Sequence, residues 1–158
     1  MFQNNLNNQL IKEVLSSSKT VAMVGISFPK KESSKIIKRR PSIIVMEYLK
    51  EFGYKVIPVN PNSVGKEING ELVYKSLEDI NVPVDIVNVF RPSEETPELA
   101  RQAVKIKAKT FWLQFGIDNH EAKKIVNIAK INYIADRCIK QEYQKNFLKV
   151  SPVFPVLQ

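Results

Sequence analysis

The chain has 158 residues, with 24 lysines and arginines against 16 aspartates and glutamates, a formal net charge of +8 and a single cysteine, Cys138. Such a length suits one domain with a sizeable core, and the basic excess favours anionic partners: nucleotides, phosphorylated cofactors, nucleic acid or an acidic membrane surface. A lone cysteine excludes an internal disulfide, no stretch approaches the roughly 18 unbroken apolar residues of a membrane span, and the amide-rich start lacks the apolar core of a signal peptide, so a cytoplasmic location without membrane contact is expected.

Leu6, Leu10, Ile11, Val14 and Leu15 recur at helical spacing and stop at Ser16-Ser17-Ser18, which predicts an amphipathic helix lying across a sheet. The first strand is Thr20 to Val24, followed by a polar loop from Ser27 to Arg40. Pro41 and Ser42 open a helix over Ile43 to Phe52, closed by Gly53 as a left-handed cap. Tyr54 to Val59 is the second strand. Turn formers cluster from Asn60 to Gly70, and a short element around Leu72 to Leu77 precedes the third strand, Val84 to Phe90. Arg91-Pro92-Ser93-Glu94-Glu95 starts a helix running to about Lys107. The fourth strand is Thr110 to Leu113, the next helix runs from the Asp118-Asn119 cap through Ala129, and the fifth strand is Asn132 to Ala135. A final short helix begins at Ile139, and residues 151–158 form a tail. Strands alternating with helices imply an α/β, three-layer, Rossmann-like, doubly wound parallel sheet of about five strands. The expected division is 1–18 as a packed N-terminal helix, 19–150 as the domain and 151–158 as the tail.

In such a sheet, ligands bind beyond the carboxyl ends of the strands where the strand order reverses. The strands here end in Gly25-Ile26-Ser27, Asn60-Pro61, Phe90-Arg91-Pro92-Ser93, Gln114-Phe115-Gly116 and Asp136-Arg137-Cys138. Each has a plain reading as turn chemistry, but together they place backbone donors, an arginine and a glutamine along one edge. The clustered glycines and second-strand acid that hold NAD are absent, since Asn60 stands where that acid would be. Lys30, Lys31, Lys35, Lys38, Arg39 and Arg40 in the first loop are read either as a solvated basic loop or as groups reaching a phosphate held at the turn, with Arg39 and Arg40 best placed beside Pro41.

These strand ends also carry a resemblance. Gly25-Ile26-Ser27, Pro41-Ser42, the run from Gly53 to Pro61, Tyr74-Lys75-Ser76-Leu77, the run from Val84 to Ser93, Trp112-Leu113-Gln114-Phe115-Gly116 and Asp136-Arg137-Cys138 resemble the small stand-alone coenzyme A-binding proteins. That family is related to the N-terminal domain of the succinyl-CoA synthetase alpha subunit. The resemblance spans about Lys19 to Glu142 and implies coenzyme A or an acyl-CoA as the ligand. It implies that Gly25, Ile26 and Ser27 hold phosphate, that Val59, Asn60 and Pro61 border the nucleoside, and that Phe90, Arg91 and Pro92 flank the ligand. Arg39, Arg40, Ser42, Gln114 and Gly116 complete the expected contacts. The first loop is longer and more basic than is usual in that family.

The synthetase's phosphohistidine belongs to a second domain, and His120, the only histidine, reads as an exposed helix-end residue. Cys138 reads either as a small buried residue or as a thiol able to exchange with a thiol cofactor beside Arg137, while Asp136 and Arg137 have a plain reading as a structural ion pair. Trp112 and Phe111 are expected in the core. The expectation is a non-catalytic binding or regulatory module for a small-molecule CoA ligand, open to a homo-oligomer or protein partner. The alternative is an enzyme component using a CoA thioester with a partner supplying the catalytic group. A nucleic-acid binder ranks below both, because aromatic platforms interleaved with basic residues are missing.

Overall fold

The computed structural model describes residues 2–26 and 41–149, with side chains from residue 5 onward. In chain order the elements are α1 (Phe2–Ser17), β1 (Thr20–Val24), α2 (Pro41–Glu51), β2 (Lys55–Val59), β3 (Glu67–Ile68), β4 (Glu71–Leu72), β5 (Ile86–Val89), α3 (Thr96–Lys105), β6 (Thr110–Leu113), α4 (His120–Ile128), β7 (Asn132–Ile134) and α5 (Ile139–Tyr143). A wide π-helical turn over Gln144–Leu148 follows α5. Five strands form one parallel sheet in the order β2-β1-β5-β6-β7. This is the Rossmann-like architecture read from the sequence.

Alternation along the strands divides the core into two layers, since successive strand residues face opposite sides. Val21, Met23, Ile86, Trp112 and Ile134 point to the face covered by α1, α2 and α5. Ala22, Val24, Val87, Val89, Phe111 and Leu113 point to the face covered by α3 and α4. Ile11, Val14 and Leu15, at helical spacing on α1, are buried in the first layer, and Phe111 and Trp112 are fully buried. Tyr54 ties α1 down by donating its hydroxyl to the Leu15 carbonyl (2.5 Å); burial, helped by nearby Tyr143, pushes its phenol up to about 12.

α2 ends as its glycine requires. Gly53 adopts φ +95°, with its N–H on the Lys50 carbonyl (3.1 Å) and the Tyr54 N–H on the Leu49 carbonyl (3.0 Å), a Schellman cap. α3 and α4 close with the same bond pattern, but with Lys107 (φ +58°) and Lys130 (φ +61°) in the left-handed position. At the other end of α4, the Asn119 side chain accepts the Ala122 N–H (2.9 Å), as the cap reading required.

Several element bounds shift by one or two residues from the chain-order reading, β5 for instance ending at Val89 and α3 at Lys105, and three differences have a local structural cause. The crossover from β2 to β5 carries a two-stranded hairpin, β3 with β4, turning through Asn69 (φ +50°) and Gly70 (φ +78°). Asn-Gly is the sequence most favourable to this tight turn. Strand β5 begins at Ile86 rather than Val84, because the Asp85 carboxylate takes the Lys19 (2.8 Å) and Thr20 (3.1 Å) N–H groups that a longer ladder would use. β7 stops at Ile134, since the chain turns at Asp136 (φ +58°), whose N–H goes to the Ile117 carbonyl (3.0 Å).

Candidate ligand site at the carboxyl edge of the sheet

The chain runs from β1 outward to β2 and then crosses back to β5 on the other side of β1, so the strand order reverses between β1 and β5. A crevice must open at that point beyond the strand ends, because the two connections leave in opposite directions. Gly25 stands there. Its φ is +94°, and a Cβ built on it would lie 2.6 Å from Cδ and 3.0 Å from Cγ of Arg91 and 3.1 Å from the Phe90 carbonyl oxygen. Both the backbone conformation and the close approach of β5 therefore call for glycine.

Two cavities flank this point. The first, about 440 Å³, runs along the tips of β1 and β2 to the start of α3, with Gly25, Val59, Asn60, Pro61, Lys75 and Arg91 among its walls. The second, about 420 Å³, lies on the other side of the β5 exit and is lined by Pro41, Phe90, Gln114, Phe115, Ile117, Cys138 and Gln141. Consecutive residues Phe90 and Arg91 thus face different cavities and form the partition between them.

Asn60 is held in place by two bonds of its own side chain. Nδ2 donates to the Ile26 carbonyl (2.7 Å), and Oδ1 accepts the Asn62 N–H (2.9 Å). The amide thereby ties the tips of β1 and β2 together, which a carboxylate at this position could not do. Ile26 itself is fully buried, so its side chain belongs to the core and only its backbone is available at the turn. Val59 is buried at the cleft floor, and Ser42 is buried in the first turn of α2.

Arg91 is engaged with Glu95, Nε to Oε1 at 3.3 Å and Nη2 to Oε2 at 2.8 Å. Both side chains are 46% exposed, so the pair is worth less than about 1 kcal/mol and an incoming phosphate can compete for the guanidinium. The turn following Pro92 is fixed by its neighbours, with Thr96 Oγ1 (2.7 Å) and Asn119 Nδ2 (3.0 Å) donating to the Ser93 carbonyl. Gln114 is buried beside the second cavity, where its Oε1 accepts Asn88 Nδ2 (3.1 Å) and the Ile139 N–H (3.0 Å), joining β5, β6 and α5. Gly116 gives its N–H to Asp136 Oδ1 (2.7 Å), and the neighbouring Phe115 is 77% exposed.

Of the residues expected at the ligand, Gly25, Val59, Asn60, Pro61 and Arg91 meet at the first cavity, and Phe90 and Gln114 at the second. Ser27, Arg39 and Arg40 lie outside the described residues, as do the four loop lysines and the tail. Gly116 and Pro92 sit on the adjoining turns. Asp136 and Arg137 are not paired with each other: Asp136 holds the Gly116 N–H, while Arg137 Nη1 lies 3.5 Å from Glu142 Oε1. Cys138 is half-buried at the start of α5 and lines the second cavity. His120 is exposed, in a separate cavity with Asp118, Lys123 and Arg137. Sequence reasoning did not single out Glu95, Glu98, Leu99 and Gln102 as cleft walls, although they recur at helical spacing from the β5 exit.

Residues 19–144 match the CoA binding domain family. The chain is 38% identical over 130 residues to the uncharacterized protein YneT of Bacillus subtilis, covering 82% of this chain and 89% of that one. Among solved structures, a hypothetical protein from Pyrococcus horikoshii superposes with a TM-score of 0.77 at 37% identity, covering 87% of this chain and 90% of its own. A Thermus thermophilus protein gives a TM-score of 0.77 at 37% identity, over 89% and 98% respectively.

Proposed function

This chain belongs to the CoA binding domain family, and from that membership and the divided crevice we propose that it binds coenzyme A or an acyl-CoA as a binding or regulatory module without a catalytic step of its own. The observation that carries the reading is the partition at Phe90 and Arg91, with Gly25 beside it. Coenzyme A is a long molecule with a diphosphate near its middle. Placing that diphosphate at the Gly25 turn sends the adenosine along Val59, Asn60 and Pro61 in the first cavity and the pantetheine arm past Phe90 into the second. The start of α2 at Pro41 borders the second cavity, and a helix N-terminus there favours a phosphate. Ser27, Arg39, Arg40, Ser42, Gln114 and Gly116 are proposed as further contacts.

The test is titration calorimetry with coenzyme A, acetyl-CoA and NAD, together with thiol release from acetyl-CoA over hours. Binding of coenzyme A well above NAD without thiol release supports the module. NAD binding as tightly as coenzyme A overturns it. Steady thiol release by the isolated chain overturns the non-catalytic part alone.

A further inference from the structure

We propose that Lys75 reads the 3′-phosphate that distinguishes coenzyme A from dephospho-CoA; the inference rests on the coenzyme A reading above and assigns a residue that reading does not use. The segment carrying Lys75 is fixed against the outer edge of the sheet. The Tyr74 N–H donates to the Pro58 carbonyl (2.9 Å), the Asn60 N–H donates to the Tyr74 carbonyl (2.9 Å), and Val59 and Tyr74 form a parallel bridge. Lys75 therefore leaves the backbone just beyond the tip of β2, on the side away from β1. Neighbouring strands lie about 4.8 Å apart, which puts the Tyr74 segment about 10 Å from the strand bearing Gly25. A diphosphate at Gly25 and a nucleoside along Val59 to Pro61 span that distance and bring the ribose towards Lys75.

Charge then chooses the direction in which the 3′-phosphate points. The α3 wall of the cavity carries Glu95 and Glu98, which repel a phosphate, and Arg91 stands over the Gly25 turn, where its guanidinium serves the diphosphate and not the far end of the nucleoside. Lys75 and Ser76 also line this cavity, and the Asp79 carboxylate that accepts the Ser76 hydroxyl (3.2 Å) is not among its lining residues, so the charge this segment presents to the cavity is that of Lys75. Among the described residues lining this cavity, Lys75 is the cation that forms no ion pair, and its side chain is exposed and free to swing. An ammonium group on a flexible stem suits a phosphate monoester at a cleft rim, where a charge-assisted bond forms without a fixed geometry.

The experiment measures affinities for coenzyme A and dephospho-CoA in the native chain, in Lys75→Ala and in Lys55→Ala, which removes an equal charge at the opposite, amino edge of β2. In Lys75→Ala the coenzyme A affinity should fall about tenfold and the dephospho-CoA affinity less than about twofold, while Lys55→Ala keeps the native ratio. Equal thermal midpoints establish that the variants are folded. If the native chain prefers coenzyme A and Lys75→Ala leaves that preference intact, the assignment of Lys75 is overturned and the coenzyme A reading stands. If the native chain binds neither ligand, the coenzyme A reading fails and this inference fails with it.

Discussion

Gly25 and Arg91 meet so closely that a single methyl group on the glycine would lie 2.6 Å from the arginine's Cδ. The arginine stem forms the roof of the turn where β1 gives way to its loop. Gly53 has the same left-handed φ, at +95°, but nothing stands within 4 Å of its Cβ position, so the two glycines separate backbone strain from steric contact. Gly53→Ala should cost about 1 kcal/mol of stability and leave ligand affinity unchanged. Gly25→Ala should cost about 2 kcal/mol, because Arg91 must also move, and coenzyme A affinity should fall at least tenfold. Urea denaturation and calorimetry on the pair check this, and equal behaviour of the two variants would show that the contact with Arg91 is unimportant.

Asn60→Asp puts the acid of an NAD-binding strand at the β2 tip. The new carboxylate would face the Ile26 carbonyl now held by Nδ2 at 2.7 Å, turning a hydrogen bond into a repulsion. Loss of about 1–3 kcal/mol of stability is expected, and coenzyme A binding should weaken without any gain for NAD. A gain in NAD affinity would mean that the amide serves specificity and not the joining of the two strand tips.

Cys138 lines the second cavity, on the path proposed for the pantetheine arm. Oxidised coenzyme A should therefore react with the folded protein. The Cys138 thiolate attacks one sulfur of the disulfide, a protein–CoA mixed disulfide forms, and the other CoA leaves as a thiolate that takes up the proton lost by the cysteine. Intact mass should rise by one CoA unit, and Cys138→Ser should abolish the gain. Reaction only after denaturation would place the thiol out of the ligand's reach.

Asp85 makes stability depend on pH. Burial alone would raise its pKa, but the backbone N–H groups of Lys19 and Thr20 and the ammonium of Lys109 outweigh that and hold the carboxyl below its ordinary range. A carboxylate depressed in the folded state contributes stability that is present above its unfolded pKa of about 3.9 and is lost as pH falls through the lower folded value. Asp85→Asn should thus destabilise the protein by about 1 kcal/mol at pH 7, with the difference shrinking below about pH 4. Urea titrations of both proteins at pH 7 and pH 3 decide it. A pH-independent difference would assign the effect to packing.

Lys130 occupies the left-handed position that closes α4, where a side chain is strained. Lys130→Gly should raise stability by about 0.5–1 kcal/mol, measured as a higher urea midpoint at unchanged slope. A lower midpoint would mean that the lysine side chain contributes more at this helix end than the backbone strain costs.

The strands were legible because burial on both faces demands unbroken apolar runs: Thr20 to Val24 and Thr110 to Leu113 begin and end where the sequence placed them. Helix ends were legible wherever a cap has a local chemical signature, as at Asn119 and Gly53. The β3–β4 hairpin had its signal too, in Asn69-Gly70, but two-residue strands carry no readable alternation. Gly25, Asn60 and Arg91 were visible as strand-end residues for the same local reason, that turns select their residues by backbone conformation.

Partnership is not local, and only the tertiary structure decided it. Nothing in the spacing of Asn60 and Ile26, 34 residues apart, reveals that one amide ties their strands together, and Asp85 reads as an ordinary strand-start acid until the fold brings it onto the Lys19 and Thr20 N–H groups. Lys75 reached the cleft because Tyr74 pairs with β2, and Cys138 reached the second cavity because α5 packs back over the strand ends. Composition and periodicity determine which residues are buried and which turn, since those are properties of a segment and its solvent. Which side chains face one another across a crevice depends on the strand order, which is set by how the whole chain closes its two core layers.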